Sequence, residues 1–194
     1  MEIIIREEEI AKRVKQLAQA ISLEHILSKN ELPPVMICIL NGSFHFFSDL
    51  TRMMTIDSQV DFIRLKSYEG QDNTQGVSII KGLELDLKGK RVYIVDDILD
   101  SGATMIEALH MVNDRMAQDV KIVTLLKRKE GPMTPDFHGF EIGEEWVLGY
   151  GLDDYGLKRH LQNIYKIKCY KLENFCTKLF TIRPPFLCSP FIKP

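Results

Sequence analysis

Residues 91–105 read RVYIVDDILDSGATM. An apolar run, Val92 to Val95, ends in two aspartates, and a third, Asp100, stands just before a Ser-Gly turn and a helical pattern. A short continuous apolar run bounded by turn residues has the character of a strand buried on both faces. Strand, glycine-containing loop and helix in succession form the repeating unit of an α/β fold. In open sheets of that kind, ligands bind beyond the carboxyl ends of the strands. The three acids therefore stand where ligand chemistry takes place. Helix capping by Asp100 or Ser101 would account for one of them, not for three.

Working outward, the same alternation recurs. Apolar residues at Ile10, Val14, Leu17, Ala18, Ile21 and Leu23 give residues 7–29 helical spacing, and Asn30 with Pro33-Pro34 ends that helix. VMICIL (35–40) is a second buried strand, and NGSFHFFSDLTRMM (41–54) is a glycine turn followed by a helix. QVDFIRLKSY (59–68) alternates as a strand, and EGQDNTQG (69–76) is a polar loop. SIIKGLELDLKGK (78–90) predicts an antiparallel strand and a turn at Gly89. After the central stretch come an amphipathic helix (103–116), a strand VKIVTLLKR (120–128), a fifth strand in WVLGYGL (146–152) and a short last one in IYKIKCY (164–170). The pattern predicts one α/β domain over residues 1–172 with a mostly parallel sheet. A tail, 173–194, is rich in Pro, Phe and Cys and has no periodicity.

The bulk numbers exclude several classes. The chain has 194 residues, 25 Lys and Arg against 27 Asp and Glu, and a net charge of -2, so it carries no global basic field for nucleic acid. No apolar run approaches the roughly 20 residues of a membrane span. The N-terminus MEIIIREEEI is charged at once, unlike a signal peptide. The four cysteines, Cys38, Cys169, Cys176 and Cys188, form no CxxC pair, and the five histidines show no ligand spacing. The expectation is a cytoplasmic protein with reduced thiols and Cys38 buried as a small hydrophobe.

Read physically, the central motif predicts a ribose 5-phosphate site. N–H groups at the start of a helix, favoured by the helix dipole, bind an anion, and Gly102 lets the backbone turn tightly before them. Ser101 and Thr104 add hydroxyl donors. Asp96 and Asp97 do not bind phosphate, but carboxylates accept hydrogen bonds from sugar hydroxyls and hold Mg²⁺ through water.

VYIVDDILDSGATM resembles the phosphoribosyl pyrophosphate (PRPP) motif of type I phosphoribosyltransferases. VDFIRLKSY, ILNGSFHFFSDL, PDFHGFEIGEEWVLGYGLDD and RHLQNIYKI further resemble segments of the hypoxanthine-guanine phosphoribosyltransferases, so the likeness covers residues ~3–168. The resemblance implies the type I fold, a Rossmann-like, mostly parallel sheet flanked by helices with a small hood subdomain. It also implies an enzyme of purine salvage, a pentosyltransferase that moves the 5-phosphoribosyl group of PRPP to N9 of hypoxanthine, guanine or xanthine. The products are IMP or GMP and pyrophosphate, the cofactor Mg²⁺ and the assembly a homodimer or homotetramer.

Residue roles follow from the same resemblance. Asp100 is the acid beside N7 of the purine and serves as general base; crowding by Asp96 and Asp97 is expected to raise its proton affinity. Asp96 and Asp97 match the acidic pair at the ribose hydroxyls, although relatives often have Glu first, and Ser101, Gly102, Ala103 and Thr104 match the 5-phosphate loop. Leu40, Asn41 and Gly42 match the pyrophosphate loop, whose Leu40-Asn41 peptide would be cis; Arg64 and Arg159 match pyrophosphate-binding arginines. Ser67 and Tyr68 begin a flexible loop that closes over the site. Ile98, Trp146, Val147 and Asp153 match purine-binding positions, with Trp146 stacking on the base. Asp153, with Asp96 and Asp97, is also a metal-side acid. The family's O6-binding lysine falls at Arg128 in an ungapped reading, with Lys127 in reserve; strand alternation puts Thr124, Leu126 and Arg128 on one face and favours Arg128. A PRPP-sensing regulator on the same fold is disfavoured by the presence of Asp100 and by the negative charge. A transferase for another base is disfavoured by DFIRLKSY and EEWVLGYGLD.

Overall fold

The computed structural model describes residues 1–69, 75–131 and 133–167. In chain order the elements are β1 (Glu2–Ile5), α1 (Glu7–Leu27), β2 (Val35–Leu40), α2 (Phe44–Met53), β3 (Gln59–Glu69), β4 (Gln75–Lys81), β5 (Arg91–Leu99), α3 (Ala103–Asn113), β6 (Asp119–Arg128), β7 (Phe137–Ile142), β8 (Trp146–Leu148) and β9 (Ile164–Ile167). Six strands form the main sheet in the order β4-β3-β2-β5-β6-β7. Only β4 runs antiparallel to its neighbour. β1, β9 and β8 form a separate antiparallel sheet, which is the hood.

Both faces of the main sheet are covered, and β2 shows how. Met36 and Cys38 point into a core built with α1 and α2 (Val14, Leu17, Ile21, Phe46, Leu50). Val35, Ile37 and Ile39 point to the other side, where Met105, Ala108 and Val112 of α3 meet Leu83 and Leu87. Each strand residue meets a hydrophobic layer, so the run reads as continuous apolar sequence. α1 starts where Arg6 N–H donates to the Glu9 carboxylate (2.9 Å). It ends where Ser28 donates its hydroxyl to the His25 carbonyl (2.6 Å), before Lys29 turns to positive φ.

The predicted elements are present, with three corrections. β1 and β7 were not expected. β1 is a short strand with Ile3 exposed, and it pairs with β9 at the far end of the chain. β7 is an edge strand whose backbone is held by α1: Arg13 donates to the carbonyls of Gly139 (2.9 Å) and His138 (2.8 Å). The strand expected over 146–152 covers only Trp146–Leu148 and belongs to the hood. Gly149, Tyr150 and Gly151 all adopt positive φ and turn the chain back. Most of the polar loop, the tail from 173 and the cysteines Cys169, Cys176 and Cys188 lie outside the described residues. Among the described residues, no helix is long and apolar enough to cross a membrane.

Candidate active site

The chain leaves β2 toward β3 on one side and leaves β5 toward β6 on the other. The carboxyl ends of β2 and β5 therefore flank the topological switch point, where open α/β sheets bind ligands. A cleft lies there, lined by Leu40 and Gly42 after β2, by Asp96, Asp97, Ile98 and Asp100, and by Ser101, Gly102 and Thr104 at the start of α3. Nine of the residues singled out in the sequence thus meet in one place. Leu65, Leu99, Ile39 and Met105 also line it.

Gly102 is the N-cap of α3, with φ 80°, and the helix start has no side-chain cap and no acid in its first turn. Its N–H groups are open to an anion and the dipole favours one. On the other wall, the Leu40-Asn41 peptide is cis, as expected. A Cβ at Gly42 would collide with the Asp97 carboxylate, and a Cβ at Gly151, φ 101°, would collide with the Gly42 carbonyl oxygen. The hood turn, the loop after β2 and the acid of β5 therefore touch through bare backbone. Arg64, exposed, is the register partner of Leu40. Arg159 donates to the Gly151 carbonyl (2.6 Å) and pairs with Asp153 (2.6 Å). Asp153 also accepts the Gly156 N–H (2.6 Å), so both of its oxygens are engaged. The side chains of Ser67 and Tyr68 lie outside the described residues; their backbone belongs to β3.

The three aspartates divide into two kinds. Asp96 is buried, its Oδ1 accepting the Asp97 N–H (3.0 Å), and Asp97 Oδ1 accepts the Ile98 N–H (2.9 Å). Burial pushes both carboxyls above the usual range, and for Asp96 the neighbouring charge of Asp97 adds to it. For Asp97 part of the rise is offset by its hydrogen bonds and by the charge of Arg159. Asp100 is different: its side chain is 67% exposed and accepts from Arg128 Nε at 3.1 Å. The expected crowding of Asp100 is thus corrected. The crowding falls on Asp96 and Asp97, while Asp100 stands clear of them against a guanidinium.

Arg128 is the residue that reaches Asp100. It also donates to the carbonyls of Gly143 and of Glu145 (2.9 Å), just before Trp146. Lys127 points elsewhere, to Glu141 (2.7 Å). Trp146 is 51% exposed, an open aromatic face, while Val147 is buried. One guanidinium thus ties the lone acid to the segment carrying the tryptophan. The two carbonyls could not be foreseen, because backbone acceptors leave no mark in side-chain identity.

The model of the phosphoribosyl transferase domain family matches residues 2–155. The chain belongs to the phosphoribosyltransferase family. The hypoxanthine phosphoribosyltransferase of Buchnera aphidicola (subsp. Schizaphis graminum) is 37% identical over 171 residues, covering 86% of this chain and 96% of the relative. A hypoxanthine-guanine phosphoribosyltransferase crystal structure from Bacillus anthracis aligns with a TM-score of 0.77 at 32% identity, over 86% of this chain and 98% of that one. The Trypanosoma cruzi hypoxanthine phosphoribosyltransferase, in complex with the product IMP, aligns with a TM-score of 0.79 at 31% identity, over 87% and 95% of the two chains.

Among the described residues of this phosphoribosyltransferase, no group of three or more His, Cys, Asp or Glu could hold a metal ion. Asp96 and Asp97 instead fit a divalent ion that arrives with a substrate. They are one buried and one half-buried carboxyl at the cleft with no lysine or arginine in salt-bridge contact, and magnesium commonly takes one or two carboxylates plus phosphate oxygens. Asp153, already engaged by Arg159 and Gly156, fits such an ion less well.

Proposed function

We propose that this chain is a purine-salvage transferase that moves the 5-phosphoribosyl group of PRPP to N9 of hypoxanthine or guanine, giving IMP or GMP and pyrophosphate. The observation that carries this reading is the division of labour in the cleft. An uncapped helix N-terminus suited to a phosphate, an adjacent acid pair, Asp96 buried and Asp97 half-buried, suited to a diol and an exposed acid suited to a base lie on one strand-loop-helix segment.

The 5-phosphate sits on Ser101–Thr104 and the ribose hydroxyls on Asp96 and Asp97. Pyrophosphate lies toward Leu40–Gly42, Arg64 and Arg159. The purine rests between Ile98 and Trp146, with Val147 backbone and Asp153 at its edge. N9 forms its bond to the anomeric carbon as the bond from that carbon to the pyrophosphate oxygen breaks, and the electron pair leaves with pyrophosphate. Asp100 takes the surplus proton from N7, and Arg128 donates to O6. Asp96 and Asp97 would hold the magnesium that binds with PRPP, and the ion would supply positive charge to the leaving pyrophosphate. Ser67 and Tyr68 lead into a loop that excludes water from the cationic sugar. A cytoplasmic location and assembly into a homodimer or homotetramer belong to the same reading.

Incubation with PRPP, Mg²⁺ and hypoxanthine, guanine or xanthine in turn should yield nucleotide with the first two at least. No turnover with any of them overturns the reading. Arg128→Ala should raise purine KM about tenfold or more, as expected for loss of a charged hydrogen bond. An unchanged purine KM removes Arg128 from the base site.

A further inference from the structure

Thr124 lies in the middle of β6 with 0% exposure, and its hydroxyl has no hydrogen-bond partner. An unpaired buried hydroxyl costs about 1–3 kcal/mol, and a valine would occupy nearly the same space without it. A hydroxyl that the resting protein does not use points to a state in which it is used. The neighbour across the ladder identifies that state. Thr124 is the register partner of Asp96, and parallel partners carry their side chains on the same face of strands roughly 4.8 Å apart. Both therefore lie on the α3 side, one hydrogen bond's reach from each other, and both are at least nine-tenths buried, Asp96 being 8% exposed. No bond joins them in the structure: Asp96 Oδ1 is turned to the N–H of Asp97. Thr124 is not itself in the wall of the cleft, whereas Asp96 is.

We propose that Thr124 is a positioning residue, whose hydroxyl donates to the Asp96 carboxylate when a ribose diol engages Asp96 and Asp97, fixing the carboxylate toward the sugar. The proposal rests on the PRPP reading of the cleft. It explains why a hydroxyl is placed within the apolar run Ile122–Leu126. It also supplies Asp96 with a second contact beside the N–H of Asp97.

The test separates it from a merely structural hydroxyl. Thr124→Val should leave the melting temperature of the ligand-free protein unchanged or raise it. The same change should weaken PRPP binding, measured by calorimetry in Mg²⁺ buffer, by about tenfold, with hypoxanthine KM unchanged. Thr124→Ser should restore the affinity, and Thr124→Ala should show the same loss as valine if the valine packs badly. PRPP affinity within twofold of wild type in both hydroxyl-free variants overturns the proposal, as does an equal rise in hypoxanthine KM. Failure of the wild-type protein to bind PRPP would overturn the reading of the cleft and this inference with it.

Discussion

Asp61 and the Asp96–Asp97 pair are carboxyls set into one sheet, two strands apart, with Asp97 half-buried and the other two buried, and they are treated in opposite ways. Asp61, 3% exposed, accepts the N–H groups of Phe62 (2.7 Å), Glu84 (2.8 Å) and Leu85 (2.9 Å) and lies 3.6 Å from Lys81. Burial alone would push it up, but the three donors and Lys81 more than offset that and hold it below the ordinary carboxylate range. Asp96 and Asp97 have one backbone donor each and one another, and burial holds both above that range. The first acid is finished by the fold and fastens the 84–85 loop to β3. The second pair is left unfinished in the ligand-free chain, with fewer donors than Asp61 has.

The largest expected effect is in the acid that belongs to neither class. Asp100→Asn should lower kcat by about 10²–10⁴-fold, the usual range for a general base, with an unchanged melting temperature because the side chain is mostly exposed. A large loss of stability there would erase the line between chemistry and scaffold. Asp61→Ala should act on the other side of that line. With three part-buried N–H donors and Lys81 left without their acceptor, it should cost about 3 kcal/mol, or roughly 6–12 °C in Tm for a chain of this size. The Asp61 stabilisation is present above the unfolded pKa of about 3.9 and fades as pH falls through the lower folded value, so wild type and variant should converge in acid melts. Convergence at high pH instead would reverse the assignment. The smallest effect has the opposite sign: Asp97→Asn should raise stability near neutral pH by about 1 kcal/mol, roughly 2–4 °C. A carboxyl with a raised folded pKa contributes fully below the unfolded value and loses that contribution as pH rises through the folded one. The gain should therefore grow as pH rises above about 3.9, the unfolded value, and be absent below it. PRPP affinity should fall in the same variant. A variant that is both less stable and fully able to bind PRPP would end the contrast with Asp61.

What could be read in advance follows from where the relevant partners lie. β2 and β5 are buried on both faces, so their apolar runs announce themselves, and the aspartates, the glycine cap and the phosphate loop are contiguous in sequence. The hood was less legible, since β1 and β9 pair across almost the whole described chain and each is too short to show a period. β7 was missed because a half-exposed edge strand with a central glycine has little apolar pattern, and it is α1, through Arg13, that holds its backbone. Alternation favoured Arg128 over Lys127, and the geometry brings Arg128 to Asp100. The backbone carbonyls that share it, and the idle hydroxyl of Thr124, are facts about neighbours that no spacing encodes.

The contact of Gly151 on Gly42, and of Gly42 on Asp97, has a consequence for how such a protein can change. At either glycine a single added methyl group has nowhere to go: one would strike a carbonyl oxygen, the other a carboxylate. A substitution at one position becomes tolerable only if the next layer has already shifted, so the effects of changes along this column will not add. Altered substrate range can be explored residue by residue around Trp146 or Arg128, where side chains meet solvent and one another. At the glycine column it would require simultaneous steps, which makes that corner the slowest part of the molecule to diversify.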